Sequence, residues 1–208
     1  KRSRAVFLFK NPAVSYAMCF QPMDETSTVK GVIEAVDTHD GSDTHFVLCG
    51  HSFGSCQVTW MLHAAPSRIK QIVLLDPVAL MLSNPDVMVN FLYKHQSQAR
   101  RTVKDTVIYL MASTEICIEH YLRRHFSWYN SELWLDDIPD HVKVLVCIAG
   151  KDTIVNANSV KQEILIYNEE MKSRGSFSKI ELLHWPNAGH GYCVVNSIPW
   201  NQIIQAME

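Results

Sequence analysis

The chain has 208 residues, 47% of them hydrophobic and 19% charged, with 19 basic and 21 acidic side chains and a net charge of −2. That length suits one globular domain, and the composition excludes a disordered or low-complexity chain. The charge balance offers no basic face for nucleic acid, and the cluster Lys1-Arg2-Ser3-Arg4 is too short to supply one.

Residues 6–9 form a short apolar run closed by Asn11-Pro12, which predicts a strand and then a loop. Residues 24–36 carry Val29, Val32, Ile33 and Val36 at helical spacing, with acidic residues in the first turn. A polar turn follows at 38–43. Residues 46–49 are a continuous apolar strand running into Gly50, and 55–65 read as a helix stopped by Pro66. Residues 72–75 form another buried strand, closed by Asp76-Pro77. The block 78–140 differs in character: it is rich in aromatic residues and methionine, with helical pieces at 106–112 and 116–122. Beyond it lie a strand at 142–149, a helix at 157–171 and a last strand at 179–183, and Pro199 with a polar tail closes the chain. Apolar strands alternating with helices predict an α/β fold, with a mostly parallel sheet covered by helices on both faces. One domain over 1–208 is expected, with a helical lid inserted at about 78–140.

Six cysteines, Cys19, Cys49, Cys56, Cys117, Cys147 and Cys193, form no C-x-x-C pair. Cys49 and Cys147 fall inside strand runs, so both are expected to be buried, reduced thiols. That predicts an intracellular protein, cytoplasmic or peripheral to a membrane. The apolar run at 5–9 is too short for a secretory signal, and no run reaches the ~20 apolar residues of a transmembrane helix.

The chemistry-bearing motif is Gly50-His51-Ser52-Phe53-Gly54. Alone, G-x-S-x-G is a modest signal. Here it directly follows an apolar strand and directly precedes a helix, the context in which a serine stands exposed on a sharp turn. Small residues two positions to either side let neighbouring backbone approach. The backbone N–H of Phe53, at the positive end of the helix, is a candidate oxyanion donor. A serine hydroxyl needs a base, and His190 in Asn187-Ala188-Gly189-His190-Gly191 follows the last strand. A carboxylate must orient that imidazole. Asp152, just past the strand end through Gly150-Lys151, is preferred, and Asp76 is the rival. His184 reads as strand-end packing, His51 as shaping the elbow, and His63 and His125 as helix or lid residues.

These motifs, in this order, resemble the α/β-hydrolase superfamily over about residues 24–193. The resemblance implies a serine hydrolase of esterase or lipase type. Ser52, Asp152 and His190 would be its triad and Phe53 an oxyanion donor, with no cofactor and no metal. A small hydrophobic ester or acyl compound is the implied substrate, and a peripheral membrane contact stays open. The pattern departs from the family in one respect. Only 51 residues precede Ser52, with one clear strand and no glycine-rich loop to supply a second oxyanion donor. The early strands are therefore expected to be missing, as in an amino-terminally truncated form, at a cost on the order of 10²–10³-fold in catalysis for one lost donor. Two other readings compete: a non-catalytic binding protein or inactive fragment on this fold, and a different reaction, such as lyase or peroxidase chemistry, on the same scaffold.

Overall fold

A computed structural model describes residues 5–93, 106, 109–176 and 179–208. Its main elements, in chain order, are α1 (Glu25–Asp40), β1 (Phe46–His51), α2 (Gly54–Ala64), β2 (Ile69–Leu75), α3 (Ile116–Arg124), β3 (Lys143–Ala149), α4 (Ala157–Ser173), β4 (Ile180–Trp185) and α5 (Ser197–Met207). They fall into two compact units, one from residues 1–44 and 88–127 and the other from 45–87 and 128–208. The block 78–140 is thus divided: 78–87 and 128–140 belong to the unit that carries the sheet.

That unit holds a four-stranded, wholly parallel sheet in the order β1-β2-β3-β4. The α/β class and the parallel sheet follow the apolar runs. In β2 and β3 nearly every side chain is buried, and Ile72, Val73, Leu74, Val146 and Cys147 are 0% exposed. Burying such a side chain contributes about 1.5–3 kcal/mol, so two strands buried on both faces anchor the unit. α2 links β1 to β2 and α4 links β3 to β4, as parallel pairing requires. Val73, Leu75, Leu145 and Cys147 pack with Cys193 and with Ile203 of α5. Where the chain leaves and rejoins this unit, Leu133 N–H donates to the Ala79 carbonyl at 2.9 Å. Nearby, the buried Glu132 carboxylate accepts from Ser83 N–H at 3.1 Å and Ser83 Oγ at 2.8 Å. Trp60 Nε1 donates to Ser131 Oγ at 3.0 Å.

In the other unit, α1 starts where Asp24 caps it, accepting from Ser27 N–H at 2.6 Å. It runs through the expected turn to Asp40 and stops at Gly41, whose φ of +91° suits only glycine. α3 is capped by Glu115, which accepts from Ile118 N–H at 2.7 Å. At its end the Nε2 atoms of His120 and His125 lie 3.1 Å apart.

The structure departs from the sequence reading at three places. Residues 6–9 are not a strand: they carry no regular structure, and Val6 is 82% and Leu8 94% exposed. An apolar run becomes a strand only where a neighbouring edge takes its backbone hydrogen bonds, and among the described residues none does. The polar tail, for which the sequence predicts no element, is helical: residues 197–207 form α5. Pro199 sits in its first turn, where a missing N–H costs nothing. Cys49 is exposed rather than buried, because β1 pairs only with β2 among the described residues and turns Val47 and Cys49 outward. Cys147 and Cys193 are buried, and burial pushes both thiols well above the usual range. Residues 107 and 108 of the expected helix at 106–112, the basic cluster at 1–4 and Arg100-Arg101 lie outside the described residues. No described helix is long and apolar enough to cross a membrane.

Candidate active site

The turn from β1 into α2 sets the geometry. Ser52 has φ +51°, a left-handed conformation that costs a non-glycine residue on the order of 1 kcal/mol. Its backbone is held on both sides. Its N–H donates to the Leu75 carbonyl at 2.9 Å, and its carbonyl accepts from Ser55 N–H at 3.0 Å and Ser55 Oγ at 2.6 Å. Ser55 Oγ in turn accepts from Ala79 N–H at 2.9 Å. Sequence reading missed Ser55; a serine three residues beyond an elbow serine was the available signal.

The two glycines of the motif differ in role. A Cβ on Gly50 would lie 2.5 Å from the Gly54 carbonyl oxygen and 2.9 Å from Ser55 N. A Cβ on Gly54 would meet nothing closer than Gln57 Oε1 at 3.9 Å. The close approach that the motif needs is therefore made at Gly50 alone.

The other strand ends converge on this turn. At the end of β3, a Cβ on Gly150 would lie 2.6 Å from the Pro186 carbonyl oxygen, so only glycine lets that loop come in. Gly150 N–H donates to the Trp185 carbonyl at 2.8 Å and Lys151 N–H to the Ala188 carbonyl at 2.7 Å. These bonds bind the loop bearing Asp152 to the loop bearing His190. Asp152 Oδ1 accepts from Ile154 N–H at 2.8 Å and Val155 N–H at 3.0 Å. Its Oδ2 lies 2.6 Å from His190 Nδ1, and His190 Nε2 lies 2.9 Å from Ser52 Oγ. A carboxylate can only accept, so Nδ1 carries the ring proton and Nε2 is the acceptor for the serine hydroxyl. The Asp152 side chain is 1% exposed and that of His190 9%, so both bonds lie largely out of water.

The rival carboxylate is placed differently. Asp76, also 1% exposed, has its oxygens on backbone: Oδ1 accepts from Ala149 N–H at 2.9 Å and Oδ2 from Gly191 N–H at 2.7 Å. Burial raises its carboxyl above the ordinary value, partly offset by those two bonds. His51 Nε2 lies 4.0 Å from Asp76 Oδ2 with no hydrogen-bond partner, and the ring centroids of His51 and His190 are 5.2 Å apart. Burial, reinforced by the neighbouring His190, pushes His51 down to about 4, so it is neutral at pH 7. His184 lies on β4 beside Gly150, and His63 lies 3.6 Å from Asp137 on the surface of the unit. Ligand atoms of Asp76, Asp152 and His190 all lie within 4.8 Å of one another. Their oxygens already accept the bonds given above, so an ion there would have to displace them.

A family model described as "alpha/beta hydrolase fold" matches residues 32–115. No curated protein matches the sequence. Among solved structures, a bacterial membrane phospholipase A superposes with a TM-score of 0.59 at 15% identity, over 90% of this chain and 63% of the phospholipase. The chain therefore spans less than two thirds of that enzyme's length. An enzyme described as degrading N-acyl homoserine lactones gives a TM-score of 0.60 at 13% identity, covering 96% of this chain and 78% of its own. An esterase from a marine microorganism gives 0.54 at 16% identity, covering 89% and 77%. At such identities the likeness is one of fold.

Proposed function

We propose that this chain, with its α/β-hydrolase fold, is a serine hydrolase acting through an acyl-enzyme on Ser52. The observation that carries this reading is the relay Asp152–His190–Ser52, with 2.6 and 2.9 Å between its members. In the proposed reaction His190 Nε2 takes the hydroxyl proton as Ser52 Oγ attacks the acyl carbonyl. Asp152 keeps the ring in the right tautomer and stabilises the imidazolium. Phe53 N–H, at the start of α2, donates to the oxyanion. The leaving group takes the proton from His190, and a water activated by the same imidazole releases the acid. Every proton moves between Ser52, His190, the leaving group and the attacking water, whose proton passes through His190 back to Ser52, so the scheme needs no cofactor and no metal.

The substrate class is a small hydrophobic ester or related acyl compound. The esterase, the lactone-degrading enzyme and the phospholipase of similar fold support an acyl carbonyl as the target. Residues 78–140 are proposed to include the lid that shields it. The test is hydrolysis of a p-nitrophenyl ester series by the full chain. A burst of one nitrophenol per active site, lost in Ser52→Ala, is expected. Folded protein without turnover on any acyl chain length would favour a non-catalytic binding role.

A further inference from the structure

The site holds a buried carboxylate that the proposed acyl transfer does not use. Asp76 directly follows β2 with φ +44°, and its N–H donates to the Cys147 carbonyl of β3 at 2.8 Å. Its Oδ1 takes Ala149 N–H at the end of β3, and its Oδ2 takes Gly191 N–H in the loop after β4, at 2.9 and 2.7 Å. One side chain thus ties together two strand ends and the loop that carries His190.

That loop is held within itself, by Tyr192 N–H on the Gly189 carbonyl and Val194 N–H on the Gly191 carbonyl, both at 3.0 Å, and the Asp76 bond is what joins this turn to the strand ends. His190 stands between Gly189 and Gly191, the residue type with the most backbone freedom, and Gly191 itself has φ +75°. Upstream, the loop is pinned where Lys151 N–H meets the Ala188 carbonyl. Downstream, the Gly191–Asp76 bond lies directly after His190. Asp152 grips the imidazole ring but makes no bond to the backbone that carries it among those given above. At 2.7 Å the bond is at the short end for an N–H on an oxygen, and its acceptor is buried away from competing water. The neighbouring His51 lacks a hydrogen bond to Asp76, so its ring leaves Oδ2 to the Gly191 amide.

We propose that Asp76 is a positioning residue, fixing the backbone after His190 so that the imidazole is held between Ser52 and Asp152. This rests on the serine-hydrolase reading above. A displacement of about 1 Å at a reacting group costs on the order of 10²-fold in rate, so the tie acts on turnover rather than on substrate binding.

Asp76→Asn is the variant of choice. Asparagine tolerates the left-handed backbone, but it offers one acceptor oxygen and turns an N–H donor toward the second amide. In the full chain, hydrogen exchange of the segment 186–193 and the kinetics on a p-nitrophenyl ester are measured together. Expected are faster exchange at Gly191 and a kcat lower by roughly 10- to 100-fold, with KM changed by less than about threefold. Unchanged exchange or unchanged kcat in folded Asp76→Asn overturns the proposal. Should the variant not fold, the wild-type Gly191 amide decides. Strong protection supports the tie, and exchange at the rate of an open loop overturns it. A wild type that hydrolyses no ester overturns the serine-hydrolase reading instead, and the exchange comparison still decides whether Asp76 holds the loop.

Discussion

A Cβ on Gly50 would sit 2.5 Å from the carbonyl oxygen of Gly54, four residues on, whereas a Cβ on Gly54 would meet only Gln57 Oε1 at 3.9 Å. The elbow motif is symmetric in sequence and asymmetric in space. Gly50, two residues before Ser52, lies against the first turn of α2, and the backbone there cannot retreat without moving Ser52.

Gly50→Ala should therefore destabilise the chain by about 1–3 kcal/mol, lowering Tm by several degrees. Gly54→Ala should leave Tm within roughly 2 °C, because the added methyl enters open space at a helix start. Thermal melts of the two variants check this. Equal losses in both would contradict the asymmetry.

Asp152→Asn should fold normally and lose activity on the order of 10⁴-fold in kcat, since an amide in that place favours the wrong tautomer of His190. Ester hydrolysis by the purified variant is the check, with circular dichroism to show that it is folded. A loss below about tenfold would mean that Asp152 does not orient the base.

How much of this was legible in the sequence follows from where each signal sits. The two central strands of the sheet showed because a strand buried on both faces reads as an unbroken apolar run, as at 72–75 and 144–149. Ser52, Asp152 and His190 showed because each stands on a glycine-marked turn at a strand end. The run at 6–9 looks the same by composition, and nothing in its residues tells that it finds no partner edge among the described residues. Pro199 and the polar residues around it gave no sign of a helix, yet a proline is compatible with the first turn of α5. The bonds of Asp76 were out of reach, because their donors lie 73 and 115 residues further along the chain.

Stability should depend on pH through His51. Its folded value is about 4 against an ordinary 6.5, so the folded state holds fewer protons between those values than the unfolded one. The contribution is complete above pH 6.5 and is lost as pH falls from 6.5 toward 4. Denaturant titrations across that window should show stability falling with acid, and His51→Gln should flatten the slope. Identical slopes in the two proteins would contradict the burial of a neutral imidazole.

Glu132 is buried with both oxygens on Ser83, at the place where the chain rejoins the sheet-bearing unit. Ser83→Ala removes one donor and leaves a carboxylate oxygen short of a partner, which costs about 1–3 kcal/mol. Urea unfolding of Ser83→Ala against wild type measures it. A change below about 0.5 kcal/mol would show that water replaces the hydroxyl at no cost.

We propose that Ser52 is a nucleophile activated by His190, and a fluorophosphonate probe tests this without any knowledge of the substrate. The full chain should take one covalent adduct, mapped by mass spectrometry to the peptide containing Ser52. The adduct should be absent in Ser52→Ala and slowed by several orders of magnitude in His190→Ala. Folded protein that takes no adduct, or an adduct that persists in Ser52→Ala, would contradict the account.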